Sequence, residues 1–275
     1  MSTATAVPEA PAAPAGAFAR ATACADALPQ DDLYGPAGAP VYEAVAADDH
    51  AEAALVARLA RRVRGPVVDL ACGGGRLTLA LAARGADVLA VDDAPAMLDL
   101  LRTRLDDVPA GLAARVRPLR ADATTAPLPA DCELVVLGAT SIALFAEGER
   151  VRLLRHVAAA LHPDGRFLVS ARVARPPRSE DRVELVAVPE RGLLATFAER
   201  VDVDRDRREV LVLPVLVDGA PVAPVALRST VGVLDAPTLE AEAADAGLRV
   251  LDRHPLGAAG AAGDALLLEL GRTDA

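Results

Sequence analysis

Three carboxylates and one run of small residues carry most of the chemistry open to this 275-residue chain. A short apolar run reaches Asp69, passes through Leu70, Ala71, Cys72, Gly73, Gly74 and Gly75, and opens a helical pattern at Arg76. Small residues at such a bend leave the backbone open to a ligand lying across it. Asp92 closes the next apolar run, 21 positions after Ala71. At that spacing in a strand–turn–helix unit an acidic side chain accepts hydrogen bonds from ribose hydroxyls. The two features together predict an adenosine-containing ligand.

The elements that must position these residues follow from periodicity. Gly65-Pro66 punctuates the chain, residues 67–70 form a short buried strand, and Leu77, Leu79, Leu81 and Ala82 mark the helix after the bend. Residues 88–91 form a second strand, followed by a helix with Pro95 in its first turn and Met97, Leu98, Leu101 and Leu105 on one face. Further strands are predicted at 116–119, 134–137 and 167–170, with a helix over 149–161 ending at Pro163-Asp164-Gly165. This alternation is that of an α/β, doubly wound, Rossmann-like parallel sheet, whose ligands sit beyond the carboxyl ends of the strands. Residues 41–63 give a helical stripe interrupted by Asp49 and Glu52. Residues 182–234 break the rhythm with Val/Leu-rich segments separated by Arg205-Asp206-Arg207 and by Asp218-Gly219, a hairpin signal. Asp235 then caps a helix that Gly247 closes, and strands at 248–252 and 265–270 complete the main sheet.

Which adenosine ligand is meant turns on two details. A dinucleotide fingerprint needs a third glycine where Thr78 stands, and a phosphate loop needs a lysine that the chain lacks. Asp69 repels a pyrophosphate but suits a ligand with an ammonium and a sulfonium, which favours S-adenosyl-L-methionine. The stretch from Asp69 to Gly75 resembles the first motif of class I S-adenosylmethionine-dependent methyltransferases. Val91-Asp92, Ala121-Asp122-Ala123 and Leu161-His162-Pro163-Asp164-Gly165 keep that family's order. The resemblance covers residues 65–173 and 232–271 and departs at Ala71, where the motif has glycine.

The resemblance implies a seven-stranded sheet and a set of donor contacts. Asp69 and the backbone of Ala71, Cys72 and Gly73 would hold the methionine end, with Gly75 completing the turn, and Asp92 the ribose. Asp122 would meet the adenine amino group, Ala123 would offer its N–H, and Met97 or Asp93 would flank the ring. Leu137 and Gly138 would line the sulfonium and the acceptor. For Asp69 the alternative is a strand-end carboxylate that caps its own turn.

Methyl transfer from a sulfonium is an in-line displacement, so alignment contributes most and no covalent nucleophile is needed. An amine acceptor needs only its neutral form, helped by a base or a pocket of low polarity. Tyr34, Tyr42 and Ser141 are the candidate acceptor-side groups. The tyrosines flank Gly35-Pro36, where they either form a lid or anchor packing. Ser141 and Thr140 follow the fourth strand and either face the acceptor or cap a turn. His50 is a base or an exposed helix start, and Arg172 meets a substrate carboxylate or an ion-pair partner. His156 is expected at the surface, and His162 and His254 in loops. Leu33-Tyr34-Gly35, Pro40-Val41-Tyr42, Leu70-Ala71-Cys72-Gly73 and Leu137-Gly138-Ala139-Thr140-Ser141 are similar to segments of the daptide-type ribosomal peptide (RiPP) methyltransferases. That likeness implies N,N-dimethylation of a peptide's C-terminal amine. Small-molecule O-methylation, a nucleotide-dependent oxidoreductase and a non-catalytic scaffold are the other readings.

Composition sets the limits. A net charge of −10 and a pI near 4.9 disfavour nucleic acid, and no long uncharged apolar window indicates a membrane span. Peptide or small-molecule amines are the expected partners, and a homodimer is the expected assembly. The three cysteines, an odd number without metal-like spacing, predict no metal and a reducing, cytoplasmic setting. Four units are expected: an Ala/Pro-rich disordered tail (1–30), a helical cap (31–65), the cofactor domain (66–173 and 232–271) and the antiparallel β insertion (174–231).

Overall fold

The computed structural model describes residues 16–46, 50–174, 176, 178–189, 192–258 and 264–273. The first fifteen residues of the expected tail, and Asp49, lie outside these. Strand β1 (Gln30–Asp32) is taken up below. The main sheet is built from β2 (Val67–Leu70), β3 (Val88–Asp92), β4 (Val116–Arg120), β5 (Cys132–Leu137), β6 (Leu161–Arg172), β12 (Leu248–Ala258) and β13 (Asp264–Arg272). Their order is β12-β13-β6-β5-β2-β3-β4, with β13 antiparallel to both its neighbours and the rest parallel. This is the α/β, seven-stranded Rossmann-like class predicted.

Every residue of β2 and β3 is buried, as expected of central strands covered on both faces. Their alternate side chains feed two cores. Val68, Leu70, Val135 and Leu137 pack with Leu153, Leu154 and Val157 of α7 (Glu147–Ala160) and Leu239 of α8 (Ala236–Asp245). On the other face Val67, Leu134 and Val136 pack with Leu55 and Val56 of α3 (His50–Leu59), Leu77 and Leu81 of α4 (Arg76–Ala82), and Leu98 and Leu101 of α5 (Pro95–Asp106). The predicted punctuation of α8 is present: the Asp235 carboxylate accepts the Thr238 N–H at 3.0 Å, and Gly247 follows with φ +84°. The Pro163-Asp164-Gly165 segment belongs to an irregular opening of β6, where residues 162–165 loop out opposite Glu133 in β5.

The second sheet runs β1-β11-β9-β8-β7, from β7 (Glu180–Val188), β8 (Leu193–Asp202), β9 (Arg207–Val217) and β11 (Ala226–Gly232), with β10 (Ala220–Pro221) paired to β9. Asp218 (φ +51°) and Gly219 (φ +76°) make the predicted two-residue hairpin between β9 and β10. The sheet is antiparallel except for β1, which pairs in parallel with β11 and so draws the chain's N-terminal part into the insertion.

Two expectations are corrected here. Residues expected in a tail form α1 (Ala17–Ala25), because Phe18 and Ala25 bury themselves against Ala198, Leu211 and Ala226. In the cap, α2 (Ala39–Ala46) and α3 replace one stripe. Val45, expected inside, is 41% exposed, while Glu52, expected to interrupt the apolar face, is 1% exposed. Val41 and Ala44 of α2 pack on the opposite face of the second sheet from α1.

Candidate active site

Between β2 and α4 the backbone enters the left-handed region three times, at Ala71 (φ +49°), Gly73 (φ +54°) and Gly75 (φ +87°). That path turns N–H groups toward the end of β3. The Asp92 carboxylate accepts the Gly73 N–H at 2.8 Å and the Ala94 N–H at 2.9 Å. Burial raises the Asp92 carboxyl above its ordinary range, and the two backbone donors oppose that. Sequence spacing thus brought together the right two elements.

Asp69 lies behind the turn, 1% exposed, and accepts the Thr78 hydroxyl at 2.5 Å. Burial pushes its carboxyl up to about 7. Of the two expectations for Asp69, its hydrogen bond matches the turn-bracing one. Cys72 is buried beside Asp69 and Asp92, and burial holds its thiol well above the usual range.

The remaining donor-side residues surround this turn. Asp93 is exposed just past β3, and Met97 is buried in α5. Asp122 is exposed and accepts the Thr124 N–H at 2.7 Å, with Ala123 buried beside it. Leu137 is buried at the end of β5. A Cβ at the next residue, Gly138, would run into Leu77 and come within 3.1 Å of the Glu52 carboxylate.

Two cap carboxylates complete the arrangement, and neither was singled out as a site residue. Both oxygens of Glu52 lie 3.1 Å from the Ala139 N–H, and Glu52 pairs with Arg76. Glu43 accepts the Gly74 N–H at 3.1 Å and pairs with Arg104 at 2.6 Å. A Cβ at Gly74 would lie 2.6 Å from the Glu43 carboxyl carbon, so a larger residue there displaces the Glu43 carboxylate from the turn. The available signal for Glu52 was a charge on an otherwise apolar helix face.

On the acceptor side the Tyr34 and Tyr42 rings meet edge-to-face, centroids 5.1 Å apart. Burial raises both phenols above the ordinary tyrosine range, with nearby Ser229 of β11 opposing the rise at Tyr34. Asp92 acts electrostatically on Tyr34, and Arg76 and Glu52 on Tyr42, which places the pair beside the turn. Ser141 begins a 3-10 turn, Ser141–Leu144, its N–H donating to the Gly138 carbonyl at 2.9 Å. No hydrogen bond or ring contact joins Ser141 to the tyrosines among the described residues. Ala139 (φ +55°) and Thr140 (φ +54°) are both left-handed, a costly backbone for a β-branched residue.

His50 is exposed at the start of α3, and His162 caps a local turn through Asp164. His156, expected at the surface, is half-buried because its Nε2 lies 2.7 Å from the Ala126 carbonyl. His254, expected in a loop, stands in β12, 2.9 Å from Glu269. Asp252, His254 and Glu269 form the one metal-compatible grouping among the described residues, but Arg166 already pairs with Glu269. Among the described residues no helix is long and apolar enough to cross a membrane.

Comparison with known proteins agrees with this geometry. Residues 67–165, from β2 into β6, match the family described as "Methyltransferase domain". No protein of curated function matches the chain in sequence. Among solved structures, the glycopeptide N-methyltransferase MtfA complexed with S-adenosyl-L-methionine is 25% identical, with 82% of this chain and 94% of that chain covered and a TM-score of 0.58. S-adenosylmethionine-bound CalS10, an amino pentose methyltransferase from Micromonospora echinaspora, is 23% identical over 85% and 95%, TM-score 0.62. The CcbJ methyltransferase from Streptomyces caelestis is 19% identical over 82% and 90%, TM-score 0.67. With the glycine turn, its carboxylate partner and the sheet order in place, the methyltransferase-domain match over residues 67–165 and the likeness to donor-bound MtfA support an S-adenosylmethionine-dependent methyltransferase.

Proposed function

We propose that this enzyme methylates an amine of a peptide or natural product. The observation that carries the reading is the tyrosine pair beside the glycine turn, framed by Glu43, Glu52 and Asp92. Two buried, neutral aromatic rings beside the turn make a site of low polarity, which favours the neutral form that an amine acceptor needs. The likeness to the glycopeptide N-methyltransferase MtfA supports an amine over a hydroxyl. The likeness of the Leu33, Pro40, Leu70 and Leu137 segments to daptide-type enzymes supports a more specific form, two successive transfers to a peptide's C-terminal amine.

In this reading Asp92 and the turn backbone position the donor, Asp122 and Ala123 receive the adenine, and Leu137 and Gly138 face the reacting methyl. S-adenosyl-L-methionine supplies an electrophilic methyl carbon on sulfur. The chain's contribution is alignment, for which well-oriented reactions gain about 7–11 kcal/mol. Matched amine and alcohol acceptors, incubated with the donor and followed by mass spectrometry, test the proposal. Methylated amines with unchanged alcohols are expected; the reverse pattern overturns the amine assignment.

A further inference from the structure

Beyond the tyrosine pair, a small cleft opens where the carboxyl ends of β5 and β6 approach the second sheet. Thr140, Arg172, Arg208 and Gly232 line it, with apolar groups behind them. Its enclosed space is about 20 Å³, enough for a single small group and too little for a whole substrate. The Nε of Arg172 is buried there and has no hydrogen-bond partner among the described residues. Among the described residues no ion pair engages Arg172 either, whereas Arg208 is paired with the buried Glu199.

Two arginines therefore line one cleft, with a carboxylate bound to only one of them. Burial and then the Arg208 charge act against the charged form of Arg172 and outweigh the opposing charges of Glu199 and Glu180. A buried N–H without an acceptor in a chain of net charge −10 calls for an explanation. Arg208 is also felt electrostatically by Tyr34, so the cleft adjoins the acceptor wall.

We propose that the cleft is an anion subsite of the acceptor pocket, in which Arg172 and Arg208 hold a carboxylate carried by the amine substrate. The planar guanidinium edge matches a planar carboxylate, and the small space disfavours the bulkier phosphate. This assignment rests on the amine-methylation reading above and narrows it. The acceptor is an amino acid, or a peptide or natural product that carries a carboxylate near the methylated nitrogen. A peptide whose C-terminal carboxyl has become an amine would present an Asp or Glu side chain instead.

The test uses 15N-labelled enzyme saturated with S-adenosylhomocysteine, with sodium acetate as the probe and sodium chloride at equal ionic strength as the control. The Arg172 Nε–H resonance is identified by its loss in Arg172→Gln, whose fold is checked by circular dichroism. That resonance is expected to move saturably with acetate and not with chloride. Arg172→Lys, which keeps the charge but lacks the fork, is expected to weaken acetate binding by about tenfold. Equal responses to both salts, or no response of this resonance to acetate, overturns the proposal. A second arm compares amine acceptors as free acids and as carboxamides. A preference for the acid of about tenfold in kcat/KM is expected, falling to about unity in Arg172→Gln; an unchanged preference counts against the subsite. Calorimetry of S-adenosylhomocysteine binding is read separately, so failure of the methyltransferase reading is distinguishable from failure of the subsite.

Discussion

At the scale of single residues, the glycine turn was legible because its information is local. Small residues, a strand-end acid and a spacing to Asp92 are all visible along the chain, and the Gly73–Asp92 hydrogen bond follows from them. The departure at Ala71 now has a physical meaning, since its φ of +49° is one that an L side chain adopts at a cost. Ala71→Gly removes that cost, less the extra freedom of glycine in the unfolded chain, for a net gain of about 0.5–1 kcal/mol. Thermal unfolding of the two forms checks this, and a less stable variant contradicts it. Asp69 makes a pH prediction. Its folded carboxyl titrates at about 7, against about 3.9 for an unfolded aspartate. Between those values the folded state holds a proton that the unfolded state has released. This group's contribution is therefore greatest below pH ~4 and is lost as pH rises toward 7. Asp69→Asn should flatten the fall in stability between about pH 4 and 7, measured by urea unfolding; an unchanged slope contradicts the assignment.

At the scale of elements, the strands and helices of the main sheet were readable from periodicity, whereas the cap was not. Helical stripes report which face is apolar, but Glu52 is buried because of Ala139, 87 positions away, and Arg76. No local pattern encodes such a partner. Strand β1 was equally hidden: its three residues are polar, and its pairing depends on the register of β11. The α1 helix was obscured by an Ala/Pro-rich context in which Phe18 alone supplies a large buried side chain. Glu52 ties the cap to the end of β5, so Glu52→Ala removes the carboxylate that Arg76 and the Ala139 N–H share. A loss of about 3 kcal/mol is expected in denaturant unfolding. Glu52→Gln, which keeps an acceptor for Ala139, should lose less. Equal stability of wild type and Glu52→Ala would show the cap to be an appendage.

At the scale of the whole molecule, two sheets divide the work. The seven-stranded sheet presents the turn, Asp92 and Gly138 at its carboxyl ends, and the second sheet brings Ser229 and Arg208 to the acceptor side. The sequence showed that an insertion exists, because its segments are Val/Leu-rich and one carries a hairpin turn. It did not show which end of the main sheet the insertion meets, since that follows from long-range packing. The central claim is that the turn cradles an activated methyl donor and not a dinucleotide. Titrating S-adenosylhomocysteine and NADH by calorimetry, with wild type and with Asp92→Asn, tests it most directly. The expected result is saturable single-site binding of S-adenosylhomocysteine, no heat with NADH, and an affinity at least about tenfold weaker in the variant, or about 1.4 kcal/mol. NADH binding in the absence of S-adenosylhomocysteine binding would contradict it.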